Sequence, residues 1–123
     1  MNLPKSEEQV MQHLWQLGKA FMKDLVEAYP DPKPASTTIA TLLKRLQDKG
    51  AIGFNKYGSV REYYPIIKKE DYSSKQFDGV MKSFFNDSVS QFASFFTSKE
   101  NLTDEELEEL RKIVDAQIKN RKQ

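Results

Sequence analysis

The amino-acid sequence predicts a mainly α-helical protein with one small β-hairpin, and three observations support this fold class. Several segments repeat apolar residues at helical spacing, most clearly Ile39, Leu42, Leu43 and Leu46. Two β-rich runs, residues 51–57 and 60–66, flank a Gly58-Ser59 turn in the arrangement of a β-hairpin. The composition changes after Lys68-Lys69, which predicts two domains, residues 1–70 and residues 71–123.

Composition indicates a globular protein with a highly charged surface. The 123 residues are 38% hydrophobic and 30% charged, and they include no cysteine, which excludes disulfides and thiolate metal sites. His13 is the only histidine, and the sequence has neither a Gly-rich phosphate loop nor a metal-ligand cluster. We therefore predict no enzyme, no cofactor and no metal site. No apolar run approaches the about 20 residues of a membrane span, and no signal peptide is recognisable, so we expect a cytoplasmic protein.

The first third of the chain predicts two helices and a rigid turn. The first helix begins near residues 4–6, carries an apolar stripe and ends at Gly18; the stripe is Val10, Met11, Leu14 and Leu17. We predict a connector or a short strand at residues 19–21 and the second helix at residues 22–29. Three prolines within residues 30–34 then force a turn, because proline cannot continue a helix.

The third predicted helix begins at Ala35 or Ser36, runs to Lys49 and is stopped by Gly50. Its apolar stripe faces the core, and its other face carries Ser36, Thr37, Thr38, Thr41, Lys44 and Arg45. Threonine is β-branched and disfavours a helix slightly, so helix stability does not explain this face. Hydroxyl and methyl groups can contact base edges and phosphates, which makes the face a candidate DNA-reading surface. The alternative is an ordinary polar helix face.

The order of elements favours a winged helix-turn-helix domain. In that architecture the third helix enters the major groove, and the hairpin, called the wing, meets the sugar–phosphate backbone. Residues 33–69 hold eight basic and two acidic residues although the whole chain carries a net charge of only +1. Such a basic segment suits a phosphate-binding surface, with ordinary solvated charge as the alternative. The candidate wing contacts are Lys56, Tyr57, Ser59 and Arg61.

The C-terminal part predicts amphipathic helices whose apolar faces need a partner. Phe85, Val89, Phe92 and Phe96 recur at helical spacing, with a break possible near Asn86-Asp87, and Thr103 with Glu106 predicts a capping box for the last helix. About 50 residues cannot enclose so many phenylalanines, so we expect a helical homodimerisation region; packing on the first domain is the alternative. The expected interface residues are Phe77, Phe84, Phe85, Val89, Phe92, Phe96, Leu107, Leu110 and Val114.

Four segments of the sequence resemble the penicillinase (β-lactamase) repressor family, the BlaI/MecI/CopY type. They are Leu3–Trp15, TTIATLLKRL at residues 37–46 followed by Lys49-Gly50, Arg61 with YYP at residues 63–65, and LTDEELEEL at residues 102–110. The resemblance covers nearly the whole chain. It implies a homodimer of winged-helix domains with interlocking C-terminal helices, which represses transcription by occupying a palindromic operator.

The resemblance also implies DNA-contacting residues, and this chain differs from known members of the family in two features that concern regulation. It implies that Thr37, Thr38, Ala40 and Thr41 lie near bases and phosphates; Ala40 replaces a larger polar residue and offers only a methyl contact, so the operator sequence does not carry over. The copper-responsive members carry a cysteine cluster that this chain lacks, so we expect no copper sensing. The antibiotic-responsive members are cut at an Asn-Phe bond, where this chain reads Phe95-Phe96. Cleavage here by a membrane-linked sensor protease system is a hypothesis.

Two other function classes stay open from the sequence. A winged-helix protein-interaction adaptor would use the phenylalanine-rich tail as its docking surface and would not bind specific DNA. A small-molecule-responsive regulator would need a pocket among these phenylalanines, where the sequence places no convergent polar groups. Salt-sensitive binding to duplex DNA would separate the repressor from the adaptor.

Overall fold

The computed structural model describes residues 1–99 and 101–122. Within these ranges the chain forms six α-helices and three β-strands: α1 (Lys5–Leu17), β1 (Ala20–Phe21), α2 (Met22–Ala28), α3 (Ser36–Asp48), β2 (Ile52–Tyr57), β3 (Val60–Pro65), α4 (Lys69–Phe85), α5 (Val89–Lys99) and α6 (Asp104–Arg121). The predicted mainly helical fold with a small hairpin is confirmed. No helix in the described part of the chain is long and apolar enough to cross a membrane.

The three strands form one antiparallel sheet in the order β1-β3-β2. The hairpin register pairs Lys56 with Arg61 and Tyr57 with Val60, on either side of the two-residue turn. Gly58 has a φ of +61°, the positive value that such a tight hairpin turn requires of its first residue. The connector after α1 is a short strand, because Ala20 and Phe21 pair with β3.

The core of the N-terminal unit, residues 1–76, lies between the helices and the sheet. The predicted stripes of α1 and α3 supply most of it; the fully buried side chains include Val10, Met11, Leu14, Ile39, Leu43 and Leu46. Leu17 departs from the prediction, since 47% of its surface is exposed. It belongs to the last turn of α1, where Gly18 at a φ of +82° leads the chain away from the core.

The first turns of α4 are tied to α1 and the N-terminus. The Trp15 indole Nε1 donates a hydrogen bond of 2.9 Å to the Ile67 carbonyl. The Tyr72 hydroxyl donates to the Glu8 carboxylate at 2.7 Å and accepts from the Leu3 amide at 3.3 Å. Burial, together with the Glu8 hydrogen bond, raises the pKa of Tyr72 above its usual value. These contacts place the beginning of α4 in the N-terminal unit.

The second unit, residues 77–123, has a break between α4 and α5. Asn86 and Asp87 adopt positive φ values of 53° and 56°, which end α4 and redirect the chain. The break that the sequence indicated near Asn86-Asp87 is present: Phe85 ends α4 and Val89 begins α5, so the apolar stripe from Phe85 to Phe96 is divided between two helices.

The capping box of α6 is confirmed. The Glu106 amide donates to Thr103 Oγ1 at 3.1 Å, and the Thr103 amide donates to Glu106 Oε1 at 3.0 Å. Each bond satisfies a backbone donor that the helix itself leaves without a partner, so this local motif defines where α6 begins.

Candidate nucleic-acid interface

Helix α3 divides sharply into a buried and an exposed face. The side chains of its apolar stripe are buried, whereas the expected base-reading residues are all exposed: Ser36, Thr37, Thr38, Ala40, Thr41, Lys44 and Arg45. This division follows from the helical period, which brings residues three and four apart onto one face. The exposed face offers hydroxyl, methyl and cationic groups along more than two turns.

A hydrogen bond and an ion pair within α3 determine which groups of its exposed face are free to contact DNA. Thr41 Oγ1 donates to the Thr37 carbonyl at 3.1 Å, so its proton is used inside the helix and its lone pairs and methyl group remain. The Lys44 ammonium contacts the Asp48 carboxylate at 3.0 Å, and both side chains are largely exposed. An exposed pair of this kind is weak, so a phosphate can compete for Lys44.

The wing carries two cations side by side next to its tip. Lys56 and Arg61 are opposite each other in the hairpin, so their side chains lie on the same face. The Arg61 guanidinium carbon lies 4.3 Å from the centre of the Phe54 ring. Tyr57 and Val60, at the last pair before the turn, are about half exposed, and the Tyr57 ring packs at 6.2 Å on Phe21.

A cleft of about 920 Å³ brings the start of α3 and the wing together. Ser36 lies at its α3 side, and Ser59 and Arg61 lie at its wing side. Residues of β1, α2 and β3 complete the wall with both apolar and charged side chains: Phe21, Met22, Lys23, Asp24, Val26, Glu27, Val60 and Tyr63. Ser36 of α3 and the wing residues Ser59 and Arg61, which are 23 or more positions away in the sequence, therefore share one surface.

Two of the eight basic residues in segment 33–69 serve the fold. Lys33 donates to the carbonyls of Glu27 and Tyr29 at the end of α2, at 3.1 and 2.7 Å. Lys49 forms an ion pair with Glu7, a carboxylate that is only 2% exposed. From the sequence both lysines counted toward the basic segment. The partner of Lys49 is 42 residues away and leaves no local signal, and the partners of Lys33 are backbone carbonyls, which residue types do not reveal. The basic surplus on the candidate interface is correspondingly smaller.

The expected interface residues of the tail fall into two groups. Phe77 and Phe85 pack edge-to-face on Phe92, with ring centres at 5.3 and 5.5 Å, and Phe96 stacks on Phe92 at 5.7 Å. Phe95, which is not among the expected interface residues, joins this cluster, with its ring centre 5.4 Å from that of Phe85. The second group has little or no cover within the chain: Phe84, Val89, Leu107 and Val114 are exposed, and Leu110 is half-buried.

Residues 1–99 and 101–122 contain no group of three or more histidine, aspartate or glutamate side chains arranged to hold a metal ion. The acidic run at the start of α6 is explained locally, because Glu106 caps the helix and acidic side chains suit its positive end.

Comparison with known proteins gives a consistent result. The penicillinase repressor family model matches residues 3–116. The penicillinase repressor of Bacillus licheniformis is 30% identical over 118 residues, 95% of this chain and 91% of that protein. The methicillin resistance regulatory protein MecI of Staphylococcus aureus (strain N315) is 28% identical over 113 residues, 91% of this chain and 92% of that protein.

The fold agrees with the sequence comparison. The solution structure of the DNA-binding domain of the repressor BlaI superimposes with a TM-score of 0.51 at 29% identity, covering 58% of this chain and 88% of that one. The winged helix of residues 1–76 and the family match over nearly the full chain lead to one assignment: the protein belongs to the penicillinase repressor family, whose members are DNA-binding transcriptional repressors and not enzymes.

Proposed function

We propose that this protein represses transcription by occupying a palindromic operator as a homodimer, with α3 in the major groove and the wing on the DNA backbone. The observation that carries the proposal is the shared cleft, in which Ser36 at the start of α3 and Arg61 of the wing line one surface. An α-helix fits the major groove, and basic side chains beside it suit the adjoining phosphates. Binding to an operator would place the protein in the cytoplasm, where bacterial DNA lies.

Homodimerisation would cover the apolar surface that a single tail leaves open. Helix α6 buries no residue within the chain, and its Ile113, Val114 and Ile118 are each about half exposed. A second copy presents the same surface, so a two-fold contact can bury both at once. Two linked winged helices then match the two halves of a palindromic site.

Relief of repression by proteolysis in the dimerisation region is a further hypothesis. The Phe95-Phe96 bond lies inside α5, and Phe96 packs on Phe92. A protease of the membrane-linked sensor system would therefore need α5 to unwind locally before cutting. Cleavage would remove the dimer contact, and a single half-site binds DNA far more weakly than two linked ones. Incubation with the active sensor protease, read by mass spectrometry, tests this; an intact chain contradicts it.

The first experiment is a gel-shift titration with the DNA upstream of the protein's own gene, at two salt concentrations and with random duplex as competitor. We expect specific binding that weakens with salt, since each neutralised phosphate releases a counterion. Arg61→Ala should weaken binding to every duplex, whereas Lys75→Ala on α4, an exposed position outside the proposed DNA contacts and the predicted dimer interface, should not. Binding that never exceeds random DNA at low salt would overturn the proposal in favour of the interaction adaptor.

A further inference from the structure

The hairpin register places Phe54 beside Arg61 on one face of the wing. Phe54 is paired with Tyr63, and Lys56 with Arg61, so Phe54 and Arg61 are diagonal neighbours. Side chains opposite each other or two residues apart in a strand point to the same side of a sheet. The diagonal contact is therefore built into the strand pairing, independently of the residues at the turn.

The contact engages the arginine in a way that leaves its hydrogen-bond donors available. The guanidinium carbon lies 4.3 Å from the Phe54 ring centre, the geometry of a cation–π interaction. Throughout the described ranges, no carboxylate oxygen lies within 4.0 Å of the Arg61 nitrogens, and its side chain makes no hydrogen bond to protein. An aromatic ring does not consume the guanidinium N–H groups, which remain free for a phosphate.

Phe54 is itself held in place. It is half-buried, packs against the hydrophobic core and lies with its ring 6.0 Å from that of Tyr63, which is buried. It is therefore a fixed support with one face turned to the arginine. Within residues 1–99 and 101–122, Lys56, the other cation of the wing, makes no such contact with an aromatic ring.

We propose that Phe54 is a positioning residue for DNA binding, which holds the Arg61 guanidinium in the cleft between the wing and α3 before DNA arrives. The inference rests on the proposed function. An arginine that is already ordered loses less conformational entropy when it binds a phosphate, so its contact contributes more to affinity. Phe54 acts through Arg61 and does not touch the DNA itself.

A double-mutant cycle on the operator found by gel shift tests the coupling. We expect Phe54→Leu to weaken binding about threefold per half-site, and thus about tenfold on two half-sites, in line with an exposed cation–π contact. Phe54→Tyr keeps the ring and should restore wild-type affinity. In an Arg61→Ala background Phe54→Leu should have no further effect, whereas in an Arg45→Ala background it should keep its full effect. An undiminished loss in the Arg61→Ala background would overturn the proposal.

A second measurement on the free, full-length protein is independent of DNA. The Phe54 ring should shift the Arg61 side-chain protons upfield in the NMR spectrum, and Phe54→Leu should abolish that shift while Phe54→Tyr retains it. Wild-type Arg61 protons at random-coil positions would contradict the inference even if operator binding is established. If wild-type protein fails to bind DNA while the ring shift is present, the proposed function fails and the contact itself stands.

Discussion

At the scale of single residues, two polar side chains of α1 carry buried polar atoms, and their protonation and partners affect stability. Glu7 is 2% exposed and has Lys49 as its ion-pair partner. The Nε2 atom of His13 is buried with no hydrogen-bond partner in the described residues, and its ring lies 4.4 Å from that of Tyr29. Both residues belong to α1, on which α3 packs, so their state bears on how firmly α3 is held.

We expect Lys49→Met to destabilise the protein, because it leaves the Glu7 carboxylate buried without a counter-charge. The free energy of unfolding should fall by about 2 kcal/mol, less than for a fully buried pair because the Lys49 ammonium is partly solvated. Urea denaturation measures the loss. Lys44→Met is the matched control, since its partner Asp48 is exposed and needs no lysine. Equal stability of the two variants would show that Glu7 is not held by Lys49.

His13 should make folding sensitive to mild acid. Burial lowers the pKa of His13 below its usual 6.5, so the unfolded chain takes up a proton more readily than the folded one. This contribution to stability is fully present above pH 6.5 and is lost as the pH falls through the lower folded-state pKa. Unfolding measured between pH 7.5 and 5 should show the decrease in wild type and a flatter profile in His13→Leu. Parallel profiles would exclude His13 as the cause.

At the scale of elements, α3 and the wing present different chemistry. Helix α3 exposes hydroxyl and methyl groups, which can read base edges, while the wing exposes Lys56 and Arg61, which suit phosphates. The two elements meet at the cleft, but their contributions to DNA binding should be separable by mutation.

Thr38→Ala and Lys56→Ala should therefore behave differently. Loss of a base contact by Thr38 should cost about 1–3 kcal/mol on the preferred operator and change the order of preference among operator variants. Loss of a phosphate contact by Lys56 should weaken binding to all duplexes and flatten the log–log salt slope by about one unit per contact. Titrations on an operator panel at several salt concentrations measure both. If the two variants change affinity alike on every DNA, the division of roles is wrong.

At the scale of the whole molecule, the chain consists of two compact units that differ in how completely each buries its own apolar side chains. The N-terminal unit encloses a core of aliphatic and aromatic residues. The C-terminal unit clusters its phenylalanines but leaves the apolar positions of α6 open. Exposed apolar surface of this extent is typical of a protein-interaction surface.

Val114→Asp should convert the proposed homodimer to monomers. Val114 is 54% exposed within one chain, so aspartate does not disturb the chain's own packing, but a charge buried between two copies is costly. Sedimentation velocity measures the oligomeric state, and circular dichroism confirms that helix content is kept. Lys112→Asp is the control, an exposed charged position of the same helix. A Val114→Asp protein that sediments like wild type would move the interface away from this face of α6.

The sequence by itself determined where helices form and which face of a helix is buried. The spacing of Ile39, Leu42, Leu43 and Leu46 predicted which face of α3 is buried, and Thr103 with Glu106 predicted where α6 begins. These signals are local, because helical periodicity and capping involve residues a few positions apart.

Only the tertiary structure decided which charged side chains already have a partner within the chain and which aromatic rings they contact. Lys49 is used by Glu7, and Arg61 is supported by Phe54. The sequence left open whether the stripe from Phe85 to Phe96 is continuous, and the backbone at Asn86 and Asp87 divides it. Such contacts depend on strand register, on long-range packing and on backbone angles that an apolar pattern does not encode. For that reason the sequence predicted which helix faces are exposed, and the tertiary structure determined which side chains on those faces are free to bind a partner.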